Sequence, residues 1–245
     1  MKKILSLARQ AIKTYDMIND GDVIAIGVSG GKDSLVLLLS MHMLKEFYPK
    51  KFDIKAVSID TGFEGTDFSK IKELCGKLNV PHITEKTDIK EIVFDKMQES
   101  SPCSLCSKMR RAALCTIAEK NGCNKIALGH NKDDAIETYV MNTLYNAKAM
   151  CFEPVTYYED RNLTIIRPLI FADEYIIKKC AKENMLPIIE KSCPADGNTK
   201  REETKKLLNQ IKSKNKNAIK NIFTVIKNSE EFKKYEMRQS NENDG

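Results

Sequence analysis

One junction constrains this chain more than any other. Val23 to Val28 is an apolar run, Ser29-Gly30-Gly31-Lys32-Asp33-Ser34 follows it, and Leu35 to Leu39 is apolar again. A buried strand, a glycine turn and the start of a helix are written there in order. Such a junction leaves backbone N–H groups unpaired and turns the positive end of a helix dipole on one point, which suits a phosphate. Gly30 and Gly31 allow the backbone to come close to a ligand, Lys32 adds a mobile cation, and Ser29 and Ser34 add hydroxyl donors. The loop is not a Walker A motif. Gly27 and Gly31 enclose only three residues, and Asp33 rather than Ser or Thr follows Lys32.

The rest of the chain repeats the strand–helix alternation. Helical spacing runs over 4–18, a strand over 23–28, a helix from the glycine turn to about Phe47 and a strand over 52–59. Helices over 67–79 and 88–98 flank a short strand at 81–84. A helix over 108–121 ends at Gly122, a strand covers 125–128 and a helix covers 132–144. A strand at 163–166 and a helix over about 173–184 complete the pattern. Alternation of this kind predicts an α/β fold: a doubly wound, mostly parallel sheet covered on both faces. Ligands of such sheets gather beyond the carboxyl ends of the strands. Three elements fall there: the loop at 29–34, Asp60 after the second strand, and Gly129-His130 before Asp133.

Two hundred and forty-five residues suffice for one large domain and a small appendage. The expected division is a nucleotide-binding domain over 1–198 and a basic, helical or partly disordered C-terminal tail over 199–245. Net charge is +6, and lysine is concentrated between Lys200 and Arg238, so the tail suits a polyanionic partner. No apolar run of eighteen residues is present, so no membrane association is expected, and a cytoplasmic location follows as the default. The 8 cysteines are then thiols or metal ligands rather than structural disulfides. Cys103 and Cys106 form a C-x-x-C pair after Pro102, and Cys193 stands in a Ser-Cys-Pro loop. These three can ligate a four-iron cluster with one iron left open. The pair alone can equally form a redox disulfide, or join Cys193 and a fourth ligand around zinc.

Residues 29–34 resemble the PP-loop of the N-type ATP pyrophosphatases. Cys103 to Cys106 with Arg110-Arg111 after it, Gly129-His130-Asn131-Lys132-Asp133-Asp134, Ile166-Arg167-Pro168-Leu169 and Pro187-Ile188-Ile189 before Cys193 extend the resemblance. Together they resemble the TtcA family of tRNA 2-thiocytidine synthetases over roughly residues 1–210, within the group that includes the lysidine synthetases. The resemblance implies the adenine nucleotide α-hydrolase-like fold and an ATP- and Mg²⁺-dependent adenylation of C2 of a tRNA cytidine, usually at position 32. A [4Fe–4S] cluster would then help deliver sulfur from a donor, either a cysteine desulfurase or inorganic sulfide.

By motif, Ser29, Gly30, Gly31, Lys32, Asp33 and Ser34 would hold ATP, with Asp33 on Mg²⁺. Asp60, Gly129, His130 and Asp133 would border the nucleotide, and Cys103, Cys106 and Cys193 would ligate the cluster. Lys32, Asp33, Cys103 and Cys193 are the catalytic candidates. Arg110, Arg111 and Arg167 are candidates for tRNA phosphate contact, and a homodimer is expected because family members often dimerise. Two departures stand out. Some members carry a second C-x-x-C where Cys193 stands alone, and the zinc-binding cysteine pairs of the related 2-thiouridine enzymes are missing. The alternatives are another PP-loop tRNA-modifying enzyme (2-thiouridine synthesis or lysidine-type ligation), a small-molecule sulfurtransferase, and a nucleotide-binding redox or zinc sensor.

Overall fold

The computed structural model describes residues 1–97, 102–189 and 199–236. Its centre is the predicted strand: β1 (Asp22–Gly27) is buried on both faces because Ile24, Ala25 and Ile26 leave no polar side to expose. Helix α1 (Lys2–Thr14) precedes it. Then come α2 (Lys32–Phe47), β2 (Phe52–Asp60), α3 (Ser69–Lys77), β3 (His82–Lys86), a π-helical stretch at Glu91–Lys96 and α4 (Pro102–Lys120). The chain continues through β4 (Lys125–Ala127), α5 (Lys132–Asn146), β5 (Val155–Tyr158), β6 (Leu163–Ile166), α6 (Glu174–Glu183), α7 (Lys200–Lys214), α8 (Ala218–Lys227) and α9 (Glu230–Glu236).

The strands lie in the order β3-β2-β1-β4-β6-β5. All neighbours are parallel except β5 with β6. The chain steps outward from β1 to β3 and then returns to the other side of β1 at β4. That reversal opens a crevice between the carboxyl ends of β1 and β4. Side chains alternate across the sheet with the strand period of two. Ile24, Ile26, Ala127 and Ile166 join the core with α1, α2 and α6, whereas Ala25, Ile126 and Ile165 meet Leu114, Ile117 and Ala118 of α4.

Four elements differ from the sequence expectation. Helix α1 stops at Thr14 because Asp16 takes a positive φ of 42°, although Tyr15, Met17 and Ile18 remain buried. Helix α4 begins at Pro102, so Cys103 and Cys106 sit in its opening turns rather than ahead of it. Pro is at home there, since the first helical N–H has no partner to lose. Strand β5 is an antiparallel edge strand that alternation did not mark. The lysine-rich C-terminal segment is helical, as expected, but it is docked. Leu208, Phe223, Ile226 and Phe232 enter the main core, and the Phe232 ring meets Tyr15 edge-on at 5.9 Å.

At the amino ends of β1 and β4, Lys125 is buried and pairs with Asp22 at 2.7 Å while donating to the Met17 carbonyl at 3.0 Å. Asp22 also accepts from the Asn19 N–H and the Asn124 side chain. Both charges are therefore compensated inside the fold.

Candidate active site

The glycine turn forms the floor of the crevice. Gly30 has φ of +84°, a conformation that disfavours any side chain, and Gly31 caps α2 with no side chain of its own. The turn is braced from within: the Ser34 hydroxyl donates to the Gly31 carbonyl at 2.9 Å and accepts from the Ser29 N–H at 3.2 Å. The loop after β4 closes in from the side. A Cβ on Gly129 would stand 3.0 Å from the Asp33 carbonyl carbon and oxygen, so only glycine allows this approach. From a third direction the Ile189 N–H donates to the Gly30 carbonyl at 3.0 Å. Pro187-Ile188-Ile189, read from sequence as the lead-in to Cys193, thus ends on the loop. Cys193 itself lies outside the described residues.

Both ends of the turn and the loop after β4 border a cavity of about 510 Å³. Ser29, Asp33, Ser34, Gly129 and His130 line it, whereas Gly30, Gly31 and Lys32 are not among its lining residues. Opposite stand Ser107, Arg110, Arg111 and Leu114 of α4. At 100° per residue, positions 103, 106, 107, 110, 111 and 114 share an arc of about 140°. The thiols of Cys103 (exposed) and Cys106 (half-buried) thus continue the cavity-facing side of α4 toward its amino end. Soft sulfur donors three residues apart at a helix start fit one edge of an iron–sulfur cluster. Among the described residues no group of three His, Cys, Asp or Glu side chains is arranged to hold a metal.

Lys32 does not stand alone. Its ammonium contacts Asp33 at 2.8 Å and Glu174 at 3.1 Å. Burial works against its charge, but these two carboxylates outweigh it and raise the Lys32 pKa. Burial likewise pushes the Glu174 carboxyl up, yet hydrogen bonds and charge from Lys205 and Lys32 bring it down to about 2. Asp33 is also held by the Asn131 side chain at 3.0 Å. Asn131 caps α5 by accepting from the Asp133 and Asp134 N–H groups, and Asp134 returns the bond to the Asn131 N–H. Asp134 lines the cavity, and its pKa is raised by burial and by the nearby Asp33 charge. Two carboxylates that oppose each other beside a phosphate cradle suit a hard divalent cation.

The remaining candidates divide. His130 borders the cavity with its ring against Phe152 at 4.8 Å. Burial, then the charges of Arg167, Arg201 and Arg111, push its pKa down to about 3, so it stays neutral, and among the described residues its Nδ1 has no hydrogen-bond partner. Asp133 turns away: its carboxylate accepts from the Glu174 N–H at 2.6 Å and so caps α6. Asp60 accepts from the Gly62 N–H at 2.9 Å, a turn-capping bond beside the crevice. Arg167 is a correction to the expectation of phosphate contact. It is 3% exposed, bonds Thr156 and the Glu153 carbonyl, and covers the Phe152 ring.

Sequence reasoning missed Asn131, Asp134, Glu174 and Arg201 as site residues. For the first two a signal was present, since Asn131-x-x-Asp134 ahead of a helix is a capping-box pattern. Arg201 reaches the cavity from α7 and pairs with Asp134 at 3.2 Å, a contact that no local pattern announces.

Comparison with known proteins agrees with this geometry. Residues 4–211 match the family described as the PP-loop domain. The tRNA-cytidine(32) 2-sulfurtransferase of Geobacter sulfurreducens is 35% identical over 230 residues, 93% of this chain and 90% of that protein. The enzyme of the same name from Bdellovibrio bacteriovorus is 37% identical over 229 residues, 93% of this chain and 86% of its own. Among solved structures, the U34-tRNA thiolase NcsA from Methanococcus maripaludis, with its [4Fe–4S] cluster, superposes with a TM-score of 0.74 at 21% identity. That match covers 95% of this chain and 77% of the other, and it establishes the shared fold. With the loop, the β1–β4 crevice and kinship over some nine-tenths of the chain in agreement, the chain belongs to the PP-loop family and, within it, to the tRNA-cytidine(32) 2-sulfurtransferases.

Proposed function

We infer that this chain is an ATP-dependent tRNA sulfurtransferase that replaces the C2 oxygen of a tRNA cytidine, at position 32, with sulfur. The observation that carries the reading is the single cavity between the glycine turn and α4: a phosphate cradle on one side, and the thiol-bearing helix with Arg110 and Arg111 on the other. The overall chemistry balances. The C2 oxygen bonds to the α-phosphorus of ATP as pyrophosphate leaves. A sulfur nucleophile at the sulfide level then bonds to C2 as AMP leaves, carrying the former C2 oxygen.

The residues divide the work. Backbone N–H groups at the start of α2, with Ser29 and Ser34, bind the phosphates, and Lys32 counters the charge that grows on pyrophosphate. Asp33, with Asp134, would hold Mg²⁺, which draws charge off the leaving group. Val57, Ile59 and Leu128 give the cavity an apolar wall for a base, and neutral His130 adds no charge beside it. Arg110 and Arg111, exposed at the mouth, meet tRNA phosphates, and the docked basic helices α7 and α8 broaden that surface. Cys103, Cys106 and Cys193 would hold a [4Fe–4S] cluster, which when bound supplies one iron with no protein thiolate, the open position that sulfur delivery requires. The segment after residue 198 is then docked on the catalytic domain and adds basic surface for tRNA rather than trailing as a separate tail. Among the described residues no helix is long and apolar enough to cross a membrane.

Anaerobic purification with iron and sulfide analysis, together with mass spectrometry of tRNA nucleosides from a deletion strain, tests the reading. Selective loss of 2-thiocytidine, restored by the intact gene, supports it. An unchanged thionucleoside profile overturns it.

A further inference from the structure

Lys32 is an expected site residue, and besides its neighbour Asp33 it has a second carboxylate partner that the sequence did not reveal. Glu174 opens α6 and its side chain is 16% exposed. One of its oxygens faces Lys32 at 3.1 Å, and the other accepts from Lys205 of α7 at 2.8 Å. Lys178, which is mostly exposed, approaches the first oxygen at 3.4 Å. The position of Glu174 is fixed from below. Its N–H is bonded to Asp133, and Lys132 pairs with the adjacent Asp173 at 2.9 Å, so the starts of α5 and α6 are tied together. Asn131 ties the start of α5 to Asp33 in turn. Lys205 and Arg201 also flank the buried Glu137, at 3.8 and 3.5 Å. A run of alternating charges thus leads from the C-terminal segment to the phosphate loop.

We propose that Glu174 is the positioning residue for Lys32, and that Lys205 sets how firmly Glu174 holds it. This rests on the reading of the glycine turn as an ATP site. A flexible ammonium on a four-carbon stem must be brought to one place before it can act on a leaving group. A carboxylate does that, but a carboxylate with Lys32 as its main partner would compete with the incoming phosphates. Lys205 shares the Glu174 charge, so Lys32 can pass to the polyphosphate while Glu174 keeps a partner. Helix α7 is by this account part of the catalytic domain's machinery as well as a basic surface.

The test uses the holoenzyme, ATP and substrate tRNA, with pyrophosphate release and ATP affinity read separately. Glu174→Gln should lower kcat by roughly 10- to 100-fold with KM for ATP changed less than about threefold, because Lys32 is present but misplaced. Glu174→Asp, which keeps the charge, should recover part of that loss. Lys205→Met should act on the other parameter and raise KM for ATP by about 3- to 10-fold, since Glu174 then grips Lys32 harder. In the Glu174→Gln background, Lys205→Met should change nothing further, as expected of coupled residues. Additive effects of the two substitutions, or variants that lose melting temperature while both kinetic constants stay at wild-type values, overturn the proposal. A wild-type enzyme that binds no ATP overturns the parent reading with it, whereas an active wild type with additive variants sinks only this inference.

Discussion

On one face of the sheet, α1, α2 and α6 meet Ile24, Ile26 and Ile166 in a continuous apolar cluster that runs from Ile4 to Phe232. On the other face, α4 covers Ala25, Ile126 and Ile165 with a much smaller cluster, and toward the carboxyl ends of the strands the packing gives way to a cavity of about 510 Å³. The first face is finished by protein. The second is finished by protein at one end and left open over the cavity at the other. That division explains where the chemistry sits. Arginines, serines and thiols can be placed on α4 only because that helix is not needed along its whole length to exclude water.

The sharpest way to break the comparison is a change on α4 that spares folding. Cys103 is exposed, so Cys103→Ser should abolish thiolation while ATP affinity and melting temperature stay near wild type; nucleoside mass spectrometry and calorimetry would report it. A collapse of stability instead would mean that this end of α4 is core after all. Next come paired truncations, one on each face. Leu38→Ala, in the fully buried row of α2, should cost about 2–5 kcal/mol in urea unfolding. Leu114→Ala, beside a cavity that already exists, should cost nearer about 1–2 kcal/mol and show its larger effect on ATP affinity. Equal costs would say that the two faces are packed alike.

The smallest effect is at the rim where α7 joins α5. Burial pushes the Glu137 carboxyl up to about 7, from an ordinary value of 4.5. Between those values the folded chain keeps a proton that the unfolded chain has released, so this group's contribution to stability falls as pH rises through that window. Glu137→Gln has no such proton to lose. Its urea midpoint, relative to wild type, should therefore climb from pH 4.5 to 7 and level off above. A difference that is flat with pH would place Glu137 in a more solvated setting than its 6% exposure implies.

Legibility followed the same division. The apolar runs of β1 and α2 and the glycines between them state the strand–turn–helix junction outright, because local sequence alone decides it. The alternation of elements led to the parallel sheet for the same reason. Contacts between distant segments were not legible. Glu174 and Arg201 look like ordinary surface charges until the fold brings them to Lys32 and Asp134. Arg167, read as a surface arginine, is enclosed because β5, which went unrecognised, passes over it. The lysines spaced through the last forty residues drew attention to charge and hid the apolar positions that anchor α7–α9, Phe232 foremost.

The buried pair at the far end of the sheet bears on all of this. Strand β4 has only three residues, too few for its ladder alone to resist sliding along β1. Were it to slip by one position, Ile126 would exchange faces with its neighbour, and the Lys125 ammonium would lose Asp22 and the Met17 carbonyl together. An orphaned interior cation makes such misalignment prohibitive. The level at which the Gly129 loop meets the glycine turn, at the other end of those strands, is thus held by two charges far from the cavity.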